Sequence, residues 1–175
     1  RKNIGLRKMR FEYQSNRFAF KLGDIYEYWG NGLILNMLDD QSIDLDTGLK
    51  GAHISYTNDF VNLEYLYGKQ RSWRSTIHAP DFDERIPNYR TNYTLNGAKV
   101  SFDISDISYD FYLLDVNNDF KPINFLLNEN ASNKLNSLLY GQSINYSFKN
   151  IDSDYHFVTN VDKDGSGHNF NSHVF

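Results

Sequence analysis

The stretch from Gly51 to Gly68 reads GAHISYTNDFVNLEYLYG. Its apolar residues alternate on both sides of Thr57-Asn58-Asp59, with Ile54 and Tyr56 before the triplet and Val61, Leu63, Tyr65 and Tyr67 after it. A period of two puts successive side chains on opposite faces of an extended chain, the mark of a β-strand. The triplet supplies turn residues, so the stretch is predicted to be one β-hairpin.

Its opening, Gly51-Ala-His-Ile54-Ser-Tyr56, returns as Gly97-Ala-Lys-Val100-Ser-Phe102 and as Gly141-Gln-Ser-Ile144-Asn-Tyr146. A looser copy begins at Gly5, where Met9 to Tyr13 alternate and Gln14-Ser15-Asn16 turns. Four hairpins imply about eight strands in an all-β, antiparallel up-and-down meander, a single unit over residues 1–175. A propeller has a similar repeat length but needs two more strands in each interval, and the intervals are too polar and irregular to supply them.

Net charge is −4 and no predicted face gathers Lys and Arg, which argues against nucleic acid as a partner. Cysteine is absent, so neither disulfides nor thiolate metal sites are available. No apolar run reaches the ~20 residues of a membrane helix, but membrane strands escape such a search because every second residue is polar. The chain begins at Arg1 and is expected to be a processed chain or a fragment.

Along the strands, one parity carries Phe, Tyr, Ile and Leu, and the other carries charges of both signs. The second strand is read from Arg17 through Tyr28, with a bulge at Gly23-Asp24. Gly30-Asn31-Gly32 reads as a turn, and Asp39, Asp40, Asp44 and Asp46 as a solvated acidic loop. Residues 69–93 form a long connection containing Trp73, His78, Asp81 and Asp83, and residues 128–139 have room for a short helix. Asp162, Asp164 and Ser166 match the start of a calcium loop, but Asn169 and His173 break the pattern, so they are only a weak calcium candidate.

Three features favour a membrane barrel, apolar outside, over a soluble one. Short turns alternate with long connections. Tyr13, Tyr56, Phe102, Tyr109, Phe148 and Tyr155 flank the turns like an interfacial girdle. The polar parity suits a hydrated lumen lined by Arg17, Lys21, Glu27, Asn62, Glu64, Lys99, Asp110, Asp154 and His156.

The run Gly23-Asp24-Ile-Tyr26-Glu27-Tyr-Trp29-Gly30-Asn-Gly32-Leu33, followed by Asp46-Thr-Gly-Leu49-Lys50-Gly51, resembles an uncharacterised family of Gram-negative outer-membrane β-barrel proteins. Lys50 stands where that family has Arg. The resemblance implies a portion of the wall of a larger barrel and brings no activity with it. Phe175 fits a terminal aromatic, but His173, Asn171 and Asn169 spoil the alternation before it, so missing strands are expected.

The expected function is an outer-membrane barrel with a pore, transport or structural role. Its partners would be membrane lipid and a small polar solute, with no cofactor and no enzymatic activity, because no Ser/His pair falls on adjacent strand ends. The alternative is a soluble β-sandwich or barrel that binds carbohydrate through Trp73 and the Tyr-rich surface.

Overall fold

Each alternating stretch pairs with the next, and the four expected hairpins form. The computed structural model of the chain describes residues 8–40, 42, 45–74, 89–120, 134–148, 151–163 and 169–174. Its strands are β1 (Arg10–Gln14), β2 (Phe18–Ile25), β3 (Tyr28–Trp29), β4 (Leu35–Asn36), β5 (Asp39–Asp40), β6 (Leu45–Asp46), β7 (Leu49–Thr57), β8 (Val61–Arg74), β9 (Tyr89–Ile104), β10 (Ile107–Phe120), β11 (Lys134–Phe148), β12 (Ile151–Lys163) and β13 (Asn169–Val174). Nine of them make one antiparallel sheet in the order β1-β2-β7-β8-β9-β10-β11-β12-β13. Among the described residues no ladder joins β1 to β13, so the sheet is open.

The turns follow from side chains that cap them. Asn58 Oδ1 accepts the Phe60 and Val61 N–H groups, both at 2.9 Å. At the next tip Ser105 takes φ 55° and lets Ile104 pair with Ile107.

Several sequence expectations change here. β2 ends at Ile25 rather than Tyr28, because Ile25 is the last residue paired with β7. The connection expected over 69–93 is shorter, since β8 runs to Arg74 and β9 starts at Tyr89. No helix occupies 134–139, which pairs with both β10 and β12 as part of β11. The broken alternation of 169–174 still forms a ninth strand, because its backbone pairs along the edge of β12 whatever its side chains.

Residues 26–48 leave the sheet and fold back across one of its faces. They carry the small hairpins β3–β4 and β5–β6 and a 3-10 turn at Gly30–Gly32. This inlay creates the core: Trp29, Ile34, Leu35 and Met37 pack with Leu66, Leu95, Tyr112, Leu114 and Val158 of the strands. The Gly30-Asn31-Gly32 turn needs three left-handed residues, with φ 58°, 51° and 84°, which explains two glycines around an asparagine.

Glycines in the sheet provide the inlay's seats. A Cβ on Gly97 would lie 2.9 Å from Trp29 Cζ3 and from Leu114 Cδ1. One on Gly141 would lie 2.8 Å from Ile34 Cδ1. Two of the residues that head the sequence repeat, Gly97 and Gly141, are thus flat places under the inlay.

The other face of the sheet is apolar and uncovered. Phe111 is 45%, Tyr65 47%, Leu113 49% and Tyr155 71% exposed. Gly97→Val should therefore lower stability by ~1–3 kcal/mol through overpacking against Trp29. Ala98→Val, one residue on and facing outward, should change it by less than about 0.5 kcal/mol. Denaturant midpoints of the two variants check this, and equal midpoints would refute the seat.

Candidate functional site

Register sorts the inner face into rows. Asn62, Ser101, Asp110, Ser143 and His156 are successive ladder partners and form one polar belt across five strands. The next row is Glu64, Lys99, Tyr112, Gly141 and Val158. The row after that is Lys21, His53, Leu66, Gly97, Leu114 and Leu139. The inner face therefore changes from polar near the turns to apolar beneath the inlay.

Glu64 stands where the two regimes meet. Its Oε1 accepts from Asn62 Nδ2 at 3.0 Å and Lys99 Nζ at 3.2 Å. Its Oε2 accepts from Trp29 Nε1 at 3.2 Å and lies 3.3 Å from His53 Nε2. A carboxylate taken out of water needs such partners, because an unpaired buried charge is costly. Lys21 Nζ meets Glu27 Oε1 at 2.6 Å, so two links tie the inlay to the wall here, Trp29–Glu64 and Lys21–Glu27.

His53 lies between the two carboxylates, buried, with Nδ1 3.5 Å from Glu27 Oε1 and without a hydrogen-bond partner. Glu27, His53 and Glu64 each offer one ligand atom within 4.8 Å of the others, the set here best suited to a metal ion. Lys21 and Lys99 already balance the charge of both carboxylates, each through one oxygen. The geometry is that of a charge-balanced clasp.

Two further links complete the belt. Asp110 Oδ2 accepts from Ser143 Oγ and from the Tyr112 hydroxyl, both at 2.9 Å, and all three residues are buried. Asn31 Nδ2, on the inlay, lies 2.8 Å from His156 Nε2. Ser143 and His156 are ladder partners, yet the serine is bound to Asp110 and the histidine to Asn31, so they are not set as nucleophile and base.

Of the residues expected to line a lumen, the structure joins Lys21, Glu27, Asn62, Glu64 and Lys99 in one network. Asp110 lies in its own buried cluster and His156 under the inlay. Arg17 and Asp154 remain exposed near the turns. The side chains of Trp73 and Asp162, and residues His78, Asp81, Asp83, Asp164 and Ser166, lie outside the described residues. Trp29, His53, Tyr112 and Ser143 were not foreseen. For Tyr112 a signal exists, because Phe111-Tyr112-Leu113-Leu114 is apolar on both parities, as in a strand covered on both faces.

Residues 1–110 match the family of unknown function DUF6029. The chain belongs to this family. No curated protein and no solved structure matches it. The DUF6029 match includes the whole inlay and every partner of Glu64, whereas Ser143 and His156 fall beyond it.

In this DUF6029 chain the inlay's far end is held by Lys8, just before β1. Lys8 Nζ contacts Tyr26 Oη and Asp39 Oδ2, both at 2.6 Å, and Asp46 Oδ2 at 3.0 Å. The acidic stretch is thus partly a clasp, and not only the solvated loop its composition suggested. Burial pushes the Asp46 carboxyl up, but the Gly48 N–H, Lys8 and Tyr26 outweigh it and leave it below the usual carboxylate value. Asp39 and then Tyr26 hold the Lys8 ammonium above the usual lysine value.

The lowered Asp46 contributes stability above its unfolded value of ~3.9, lost as pH falls through the folded value. The raised Lys8 contributes fully below ~10.4, and this is lost as pH rises through its folded value. Amide-exchange protection at Leu38 and Thr47, whose N–H groups bond across the β5–β6 hairpin's base, should be level between about pH 5 and 10 and fall outside that window. Asp46→Asn should flatten the acid limb and Lys8→Met the alkaline one. Unchanged limbs in both variants would rule the clasp out.

Proposed function

We propose that this chain is wall of an outer-membrane β-barrel, with a pore, transport or structural role, and that the inlay lies in its lumen. The observation that carries the reading is the inversion of the sheet. Large apolar side chains occupy the uncovered face, and Glu64, Lys99, His53 and Asp110 occupy the covered one. Water as the outer solvent would favour the reverse.

The outward apolar band supports it. It extends from Val61 to Tyr67 on β8, from Ile107 to Leu113 on β10 and from Tyr146 to Leu138 on β11, about 20 to 27 Å along the strands at ~3.4 Å per residue. A tilt of ~40° projects this to about 15 to 21 Å, somewhat less than the ~25 Å typical of such barrels. Beyond the band the outward residues become polar, with Lys69, Asn96, Asp115 and Asn136. Aromatic side chains cluster toward its turn side, where Phe18 and Tyr56 pack at 4.9 Å and Tyr109 packs at 4.6 Å on Phe111, farther into the band.

On this reading the edges at β1 and β13 are closed in the membrane, since unpaired backbone groups are not tolerated in lipid. The inlay narrows the lumen, and Glu64 and Lys99 present opposite charges to any small polar solute that passes beside it.

Phe111 lies near the middle of the band and tests the solvent directly. Phe111→Arg should cost ~2–4 kcal/mol of stability in phosphatidylcholine vesicles and prevent insertion. On a water-exposed surface the same change would stay within about 0.5 kcal/mol. A chain that is monomeric and folded in detergent-free buffer, and indifferent to Phe111→Arg, would instead be the soluble carbohydrate-binding module.

A further inference from the structure

Where β7 begins at Leu49, its neighbour β8 continues past it, so beyond Lys69 the strand pairs only with β9. The step leaves a notch of about 700 Å3 lined by Lys50, Lys69 and Arg71, among others. Lys50 and Lys69 are direct ladder partners, and Arg71 follows two residues on, on the same face. The sequence alone placed no basic cluster on any face, because Lys50 and Lys69 come together only through the register of β7 on β8.

Like charges directly opposite across a ladder repel. Among the described residues none of the three cations has an ion-pair partner. Two carboxylates share the notch: Asp24, the ladder partner of Lys50 on its other side, accepts the Met9 N–H at 2.6 Å and is in ion-pair contact with none of the three, and Asp46 holds Lys8, the Tyr26 hydroxyl and the Gly48 N–H, so the cations outnumber the carboxylates left to them. Lys50, Lys69 and Arg71 are exposed. Their position decides what kind of anion would meet them: Lys69 follows Tyr67, 44% exposed, at the limit of the outward apolar band.

We infer that the notch is a binding site for the phosphate of an anionic lipid whose acyl chains lie on Tyr65 and Tyr67. The proposal rests on the membrane reading. An acyl-linked phosphate satisfies both halves of the surface, with the cations meeting its charge and the aromatic band its chains. A free anion would use only the first.

The test reconstitutes the full chain in nanodiscs of phosphatidylcholine with phosphatidylglycerol and counts phosphatidylglycerol retained on detergent extraction by native mass spectrometry. Wild type should retain at least one molecule. Lys50→Gln, Lys69→Gln and Arg71→Gln should each weaken retention about fivefold, and Lys69→Arg should keep it, which separates charge from folding. Retention unchanged in the Gln variants, or no preference over phosphatidylcholine, would overturn the site. Displacement of the lipid by millimolar inorganic phosphate would also overturn it, in favour of a free-anion pocket. Flotation of the protein with the discs is read separately: chains that float without selecting the lipid refute only this site, while chains that do not float refute the membrane reading and the site together.

Discussion

A carboxylate on a covered face of a sheet must be met there by donors, and Glu64 is the place where this chain meets that demand. The four groups around it come from β7, β8, β9 and the inlay, namely His53, Asn62, Lys99 and Trp29. Three wall strands and the inlay therefore share one charge. Removing any single donor leaves the others facing an under-compensated carboxylate, so the network acts as a unit rather than as a sum of pairs. Specific register follows, because a one-residue slip of β8 against β9 would put Glu64 and Lys99 on opposite faces of the sheet.

The inlay depends on this clasp and on the glycines beneath it, which do different jobs. Glu64 and Lys21 fix where the inlay begins, through Trp29 and Glu27. Gly97 and Gly141 lower the floor so that Trp29 and Ile34 reach the sheet. A strand glycine ordinarily weakens its sheet, because it loses more backbone entropy and packs no side chain. Here a side chain from another segment fills the gap. That accounts for the glycines that head the third and fourth hairpin copies better than turn chemistry does, since Gly97 and Gly141 lie mid-strand.

The hairpins were legible because alternation is local, and the pairing partners of one turn are its own flanks. The division into two faces was legible for the same reason, as period two assigns every strand residue to a side, although it does not say which side is covered. The inlay was not. Tyr26 and Tyr28 keep the parity of β2, so nothing local announces that the chain leaves the sheet after Ile25. Trp29 gained its partner, Glu64, from a residue 35 positions away. Glu27 was placed on the polar side by the parity of a strand it does not belong to, and it nevertheless reaches Lys21. Lys99 and Glu64 could have been matched beforehand, since they are direct ladder partners once the repeats are aligned.

The distribution of large side chains then constrains the surroundings. Among the described residues the buried core holds Trp29 and Tyr112 but no Phe, while Phe11, Phe18, Phe60, Phe102 and Phe111 are among the exposed hydrophobics. A chain of this length folding in water gains most by burying such rings, each worth roughly 1.5–3 kcal/mol. Turning the sheet over would achieve that only by exposing the Glu64 network and leaving the inlay without a floor, because Gly97 and Gly141 lie on the inner parity. The sequence thus gives up aromatic burial in order to keep a polar, glycine-floored interior. That choice is stabilising where the outer medium is itself apolar, and the membrane reading supplies such a medium while leaving the inner and outer parity of every strand unchanged.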